Sequence, residues 1–259
     1  YQHCATAIAN DFALLTEGRR SAPLSALNTV IGDPKLVFLE KGAKLEASIL
    51  NTTNGPIYIG SDAEVMEGCM VRGPFALGDH AQLKMGAKIY GACSFGPECR
   101  VGGEVNNSVM LGFSNKGHDG FLGNSVLGEW CNLGADTNTS NLKNTYGEVA
   151  AWSYVDEALV STGQQFLGLV MGDHAKSGIN TMFNTGTVAG PCANIFGGGF
   201  PPKHIPAFAW GGAEGIDTYT LDKAFSTCRR VMERRHVPFT TDDEDILRHV
   251  FEITSQYRD

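Results

Sequence analysis

The sequence has no long run of lysine and arginine, no CxxC pair and no apolar stretch long enough to cross a bilayer. Each absence removes a class. With no basic run and a net charge of -8, the chain lacks a nucleic-acid surface, although a local basic pocket for a phosphate stays open. The cysteines Cys4, Cys69, Cys93, Cys99, Cys131, Cys192 and Cys228 are odd in number and scattered. They read as free thiols in a reducing cytosol, not as a disulfide framework or a zinc site. No signal-peptide pattern opens the chain, so the expectation is a cytoplasmic protein with neither a membrane nor a nucleic-acid partner. The first residue is Tyr1 and not Met, as in a piece cut from a longer protein. What is abundant is glycine, 32 residues without a collagen period, which points to many turns.

Those turns belong to a repeat. Ile59, Val65, Val71, Leu77, Leu83, Ile89, Phe95 and Val101 follow one another at intervals of six. Neither a helix nor an alternating strand produces an unbroken period of six, whereas a hexapeptide-repeat parallel β-helix does. Each hexad is then a short strand and a turn, three hexads close a coil, and residues eighteen apart stack. Ile59 should lie on Leu77 and Leu77 on Phe95; Val65 should lie on Leu83 and Leu83 on Val101. The pattern returns more faintly at Met171, Ser177, Phe183, Ala189 and Ile195, and the quartet GDHA occurs at both 78–81 and 172–175. These hexads resemble those of the left-handed superfamily, and the left hand is what that resemblance implies.

Other stretches do not fit the period. Residues 112–144, GFSNKGHDGFLGNSVLGEWCNLGADTNTSNLKN, read as a polar loop, and 140–165 as an insertion carrying short strands or an arm. ATAIANDFALLTEG, closed by Gly18, predicts a helix leading into the solenoid. TYTLDKAFSTCRRVMERR and TDDEDILRHVFEITSQYR predict two amphipathic helices that cap the solenoid, the second opened by a capping box from Thr241 to Glu244. The expected organisation is a helical lead-in over 1–35, a β-helix over 36–200, and a Gly/Pro linker with helices over 201–259. The fold class is thus mainly β, a single-stranded left-handed parallel β-helix with an N-terminal helix and C-terminal capping helices.

His118, in the Gly-rich stretch, is the one histidine with the setting of a base; its plainer reading is a solvated turn residue. His80 and His174, in the repeated GDHA, read as turn residues. No second histidine lies near His118 as a zinc triad would need, so no metal site is expected and a metal-dependent lyase is a minor reading.

The stretch SNKGHDGFLGNSVLGEWCNLGADTNTSN resembles the active-site segment of the bifunctional N-acetylglucosamine-1-phosphate uridyltransferase/glucosamine-1-phosphate acetyltransferase family. GGEVNNS and NTMFNTGTV are similar to a Bacteroidetes-type variant of that family. The resemblance covers nearly the whole chain. It implies an acetyl-CoA-dependent N-acetyltransferase of an amino-sugar phosphate, within a protein of sugar-nucleotide biosynthesis. His118 falls on the family's general base, Asn141 on an Asn near the reacting groups and Glu104 near a Glu that orients them. Asn132 falls on a sugar-contacting Asn. Ala135 falls on a small residue beside the acyl carrier, with Gly134, Ile179 and Gly197 as further cofactor-binding positions. Phe121 stands where the family has Tyr, and the family's Asn-Tyr-Asp-Gly becomes NLKN at 141–144. The phosphate-gripping cations have no clean counterpart: Lys84, Lys88, Lys116 and Lys143 are candidates, each with the plainer reading of a solvated charge.

The chemistry suits these types. An amine must shed a proton to attack a thioester, and a histidine titrates near neutrality without a large shift. The resemblance also implies a homotrimer, and an upstream nucleotidyltransferase domain using Mg before Tyr1. The alternative is a non-catalytic trimerisation or regulatory module of a sugar-1-phosphate nucleotidyltransferase.

Overall fold

A computed structural model describes residues 1–258. The chain forms two compact units, Tyr1–Val126 and the remainder from Leu127.

The first unit is a parallel β-helix with three faces. One face stacks Thr29–Ile31, Ile49–Asn51, Met70–Arg72, Lys88–Tyr90, Glu104–Asn106 and Phe121–Gly123. The second stacks Val37–Leu39, Ile57–Ile59, Phe75–Leu77, Cys93–Phe95 and Val109–Met110; the third stacks Lys44–Leu45, Glu64–Val65, Gln82–Leu83, Arg100–Val101 and Asn115–Lys116. The expected stacks are present: Ile59 pairs with Leu77 and Leu77 with Phe95, while Val65 pairs with Leu83 and Leu83 with Val101. All eight hexad residues from Ile59 to Val101 are at most 2% exposed. Burying such a side chain contributes about 1.5–3 kcal/mol, which is why the period is written in aliphatics. The chain turns corners through left-handed residues, Asp62, His80 and Glu98 at φ 54, 57 and 62. Helix α1 (Cys4–Thr16) lays Cys4 and Ile8 against Ala76, Ala92 and Val109 on one face of the coil.

The second unit repeats the parallel pairing. Leu169–Met171, Thr187–Ala189 and His204–Ile205 form one ladder; Asn132–Leu133, Lys176–Ser177, Asn194–Ile195 and Ala209–Gly212 form another. Gly215–Thr218 folds back antiparallel on Ala209–Gly212. An arm intervenes between Thr139 and Leu169, with the antiparallel hairpin Ala150–Ser153 and Ala158–Ser161. Helices α2 (Leu221–Glu233) and α3 (Thr241–Ile253) bury Ala224, Phe225, Cys228 and Leu247 against Cys192, Ala207 and Phe208, as a cap does. His174, like His80, is a left-handed turn residue, at φ 60.

Three expectations are corrected. Residues 112–144 are not a loop: they contribute strands Asn115–Lys116 and Phe121–Gly123 to the first unit and Asn132–Leu133 and Asn138–Thr139 to the second. Their inward residues alternate leucine (Leu122, Leu127, Leu133) with the polar Lys116 and Thr139, and the spacing drops to five between Leu122 and Leu127, so the period is hidden. The coil also overruns its expected limits, because Thr29–Ile31 already pairs with Ile49–Asn51 and the ladder resumes at His204–Ile205 beyond the Gly/Pro stretch. The capping box sits one residue earlier, with Thr240 as N-cap: its Oγ1 accepts from Asp243 N at 3.3 Å, and the Asp243 carboxylate accepts from Thr240 N at 2.7 Å. No helix among the described residues is long and apolar enough to cross a membrane.

Candidate active site

His118 stands on the corner that joins Asn115–Lys116 to Phe121–Gly123 in the first unit. The register shows why it projects. Val101 pairs with Lys116 and Glu104 with Phe121, so four residues, 117–120, turn this corner over a corner that uses two, Gly102 and Gly103. The corner on the other side, between Leu83 and Lys88, also uses four residues, 84–87, since Leu83 pairs with Val101 and Lys88 with Glu104. Gly102 and Gly103 are therefore a short step between two longer ones.

The glycines are required by the approach of the neighbours. A Cβ on Gly103, whose φ is +70, would meet His118 O and Asp119 Cα at 2.9 Å. A Cβ on Gly102 would meet Gly117 O at 2.7 Å and the Lys84 Cβ at 3.2 Å. Backbone rungs hold both ends of the His118 corner: Gly102 N donates to Lys116 O at 2.7 Å and Glu104 N to Gly120 O at 3.3 Å. The His118 side chain between them is exposed, as a base that takes a proton from an incoming molecule must be.

Four other expected residues gather here. Glu104 lies in the ladder between Lys88 and Phe121. Its carboxylate accepts from Tyr90 Oη at 2.5 Å, and burial followed by this bond pushes the Tyr90 phenol up to about 12. Tyr90 thus stays a donor at every ordinary pH and fixes the Glu104 carboxylate. Lys84 Nζ donates to Gln82 Oε1 at 2.8 Å, and Gln82 Nε2 to Glu64 at 2.9 Å. Lys88 is exposed and Phe121 half-buried. His118, Glu104, Phe121, Lys84 and Lys88 thus share one edge of the first unit, with two lysines and a histidine within a few residues of a glycine step.

Lys116 departs from the plainer reading. It is not a solvated charge: it is 2% exposed, on the inward side of its strand, and its Nζ donates to His118 O at 2.6 Å. Met110, Lys116 and Leu122 run at the inward spacing of six, and that phase could have exposed Lys116 in the sequence. Tyr90 carried no such signal, because its link to Glu104 is made across strands.

The remaining expected residues lie in the second unit. Asn132 pairs with Lys176, and Gly134 N donates to Ser177 O at 3.0 Å. A Cβ on Gly134 would strike Gly178 C and O at 2.4 Å, and one on Gly178 would touch the Phe196 Cβ at 3.3 Å. Ala135 O accepts from Asn180 N at 2.8 Å. Ile179, 72% exposed, and the exposed Phe196 border this flat strip of small residues, and Gly197 follows at φ +105. The Phe196 ring meets Trp210 edge-on at 5.1 Å between centroids. Gly134 and Gly178 thus let successive coils approach closely here, beside the exposed apolar Ile179 and Phe196. Asn141 O accepts from Leu167 N at 2.9 Å where the arm leaves and rejoins the coil. Lys143 donates its Nζ to the Glu148 carbonyl and is engaged inside the arm. Among the described residues no three His, Cys, Asp or Glu side chains gather as metal ligands.

No family model matches the sequence. Similarity to individual proteins is clear. A bifunctional sugar-1-phosphate nucleotidylyltransferase/acetyltransferase of Sulfurisphaera tokodaii is 32% identical over 165 residues, 63% of this chain and 40% of that protein. A bifunctional protein GlmU of Methanococcus aeolicus is 30% identical over 87 residues, 34% of this chain and 20% of that one. The chain thus spans well under half the length of these two relatives. A putative uncharacterized acetyltransferase, YaiX, of Escherichia coli K12 is 30% identical over 160 residues, covering 61% of this chain and 69% of that protein. Among solved structures, the polySia-specific acetyltransferase NeuO overlaps 82% of this chain and 99% of its own, with a TM-score of 0.46 and 13% identity. With a hexad-built parallel β-helix and a relative of this identity matched over more than two thirds of its length, the chain belongs to the hexapeptide-repeat acetyltransferases.

Proposed function

We propose that the chain transfers an acetyl group from acetyl-CoA to the amine of an amino-sugar phosphate of the glucosamine-1-phosphate kind, with His118 as general base. The observation that carries this reading is the His118 corner: two residues longer than the corner beneath it, exposed, and beside Lys84 and Lys88 on a glycine step. His118 accepts the proton that the amine loses as its nitrogen forms a bond to the acyl carbon. The bond to sulfur breaks, and the departing thiolate takes up a proton. Lys84 and Lys88 face the sugar phosphate, Glu104, held by Tyr90, orients the sugar amine, and Phe121 packs against the sugar ring. Asn141 lies near the reacting groups. Asn132 contacts the sugar. The glycine strip at Gly134, with Ala135, Ile179 and Gly197, receives the pantetheine arm. Homotrimeric assembly, and an origin in a longer protein that also carries a Mg-dependent sugar nucleotidyltransferase, complete the reading. The name and length of the Sulfurisphaera relative support the latter.

The test is thiol release from acetyl-CoA in the presence of glucosamine-1-phosphate. His118→Ala should lower kcat by about 10²–10⁴-fold, the usual contribution of a general base. A chain that neither binds acetyl-CoA in a calorimeter nor releases thiol is not the transferase, and the solenoid is then the assembly or regulatory module of a nucleotidyltransferase.

A further inference from the structure

We infer that Lys116 is a positioning residue that holds the His118 corner from inside the coil. The inference rests on the reading of His118 as the base, and it begins from an anomaly of packing. Lys116 stacks on Val101 in the ladder and takes an inward position between Met110 and Leu122, which are 1% and 0% exposed. Every demand of the core at that position would be met by an aliphatic side chain. A charge taken out of water has to be held by good hydrogen bonds, or the site is better filled by an apolar residue of similar volume.

What the ammonium does there is visible. It donates to His118 O at 2.6 Å, a short charge-assisted bond. That carbonyl also lies against Gly103, where any side chain would displace it. The rungs at Lys116 O and Gly120 O secure the ends of the corner, and His118 stands between them. Its backbone is therefore clamped by the glycine floor beneath and by Lys116 from within. A corner that overhangs a shorter neighbour by two residues gains reach and loses support; the buried ammonium supplies support from within. Catalytic geometry tolerates little looseness, since misplacing a reacting group by about 1 Å can lower the rate by about 10²-fold.

A residue kept for packing and one kept for position respond differently to Lys116→Met. The expected result is a melting temperature equal to or above that of the parent. Amide exchange at Gly102 and Glu104, whose N–H groups donate to Lys116 O and Gly120 O at the two ends of the corner, should accelerate by about tenfold or more. Exchange in the strands around Leu77 should stay unchanged. In the transferase assay kcat should fall by about tenfold or more while KM for acetyl-CoA stays within about twofold, as for an interaction made only in the transition state. Lys116→Gln, which keeps a donor, should recover part of both effects in a folded protein. Unchanged exchange at Gly102 and Glu104 overturns the inference whatever the activity, as does a general loss of protection with a lowered melting temperature. If the parent chain transfers no acetyl group, the catalytic reading fails by itself, while the exchange data still decide whether Lys116 holds the corner.

Discussion

The two units fill the same kind of coil with different material. Around Leu83 the first unit is lined by valine, leucine, isoleucine and phenylalanine at 0–2% exposure. The second buries Thr137, Thr139, Ser177, Thr181, Thr185 and Thr187. These hydroxyls are spent locally: Thr181 Oγ1 donates to Gly178 O at 2.9 Å, Thr187 Oγ1 to Asn184 O at 2.8 Å, and Thr137 and Ser177 bond each other at 2.9 Å. Threonine has the branched shape of valine, and a carbonyl at each turn accepts its proton. An inward position in this fold therefore takes either an aliphatic side chain or a branched one whose hydroxyl is satisfied nearby.

The widest gap should open between Leu83→Ala and Thr187→Val, compared by urea unfolding. Leu83 is fully buried between Val65 and Val101, and emptying its place should remove about 2–5 kcal/mol. Thr187→Val keeps the shape, loses one hydrogen bond and adds a buried methyl, so its net effect should stay within about 1 kcal/mol. Equal losses at the two positions would mean that the hydroxyl network carries as much of the second coil as the aliphatic column carries of the first.

That contrast also explains what could be read in the sequence. The ladder from Ile59 to Val101, its stacking partners, the inserted arm and the terminal helices were legible, because each rests on a period or a composition that the residues state directly. The coil through 112–144 was not, because Lys116 and Thr139 hide the inward phase and the corner at Gly102 is shortened. At the candidate site, the grouping of His118, Glu104, Phe121, Lys84 and Lys88 along one edge was not stated by the sequence, because it depends on the register between coils. The burial of Lys116 and the bond from Tyr90 to Glu104 were not legible, since both depend on which strands become neighbours. Nor did spacing reveal that Lys143 is engaged within the arm.

Within the first unit, a pair of glycines separates backbone strain from crowding. Gly86 and Gly103 have nearly the same φ, +71 and +70, but a Cβ on Gly86 would meet nothing within 4 Å. Gly86→Ala should cost about 1–2 kcal/mol, the left-handed penalty alone. Gly103→Ala should add about 1–3 kcal/mol for overpacking against backbone atoms. It should also depress acetyl transfer, because the atoms it meets belong to His118 and Asp119. Thermal melts of the two variants give the difference. Matching melts would show that the His118 corner yields freely to a methyl group, and would weaken its description as clamped.

The smallest effect should come from a place where the second unit breaks its own rule. His204 stacks on Trp152 with ring centroids 4.0 Å apart, and Tyr154 and Tyr257 close the sides at 5.6 and 5.5 Å. Glu157 accepts from Tyr257 Oη at 2.9 Å, joining the hairpin to the chain beyond α3. Here the buried His204 Nε2 and Trp152 Nε1 have no hydrogen-bond partner, unlike the hydroxyls of the coil. Burial pushes the His204 imidazole below its usual value. The folded state therefore favours the neutral ring: the stability this gives is whole above the unfolded value of about 6.5 and is lost as pH falls through the lower, folded one. His204→Phe keeps the stack and removes the titration. Its melting temperature should consequently decline less between neutral and mildly acidic pH than that of the parent. Parallel declines would mean that a proton enters the aromatic box without penalty, its charge held by the faces of the surrounding rings.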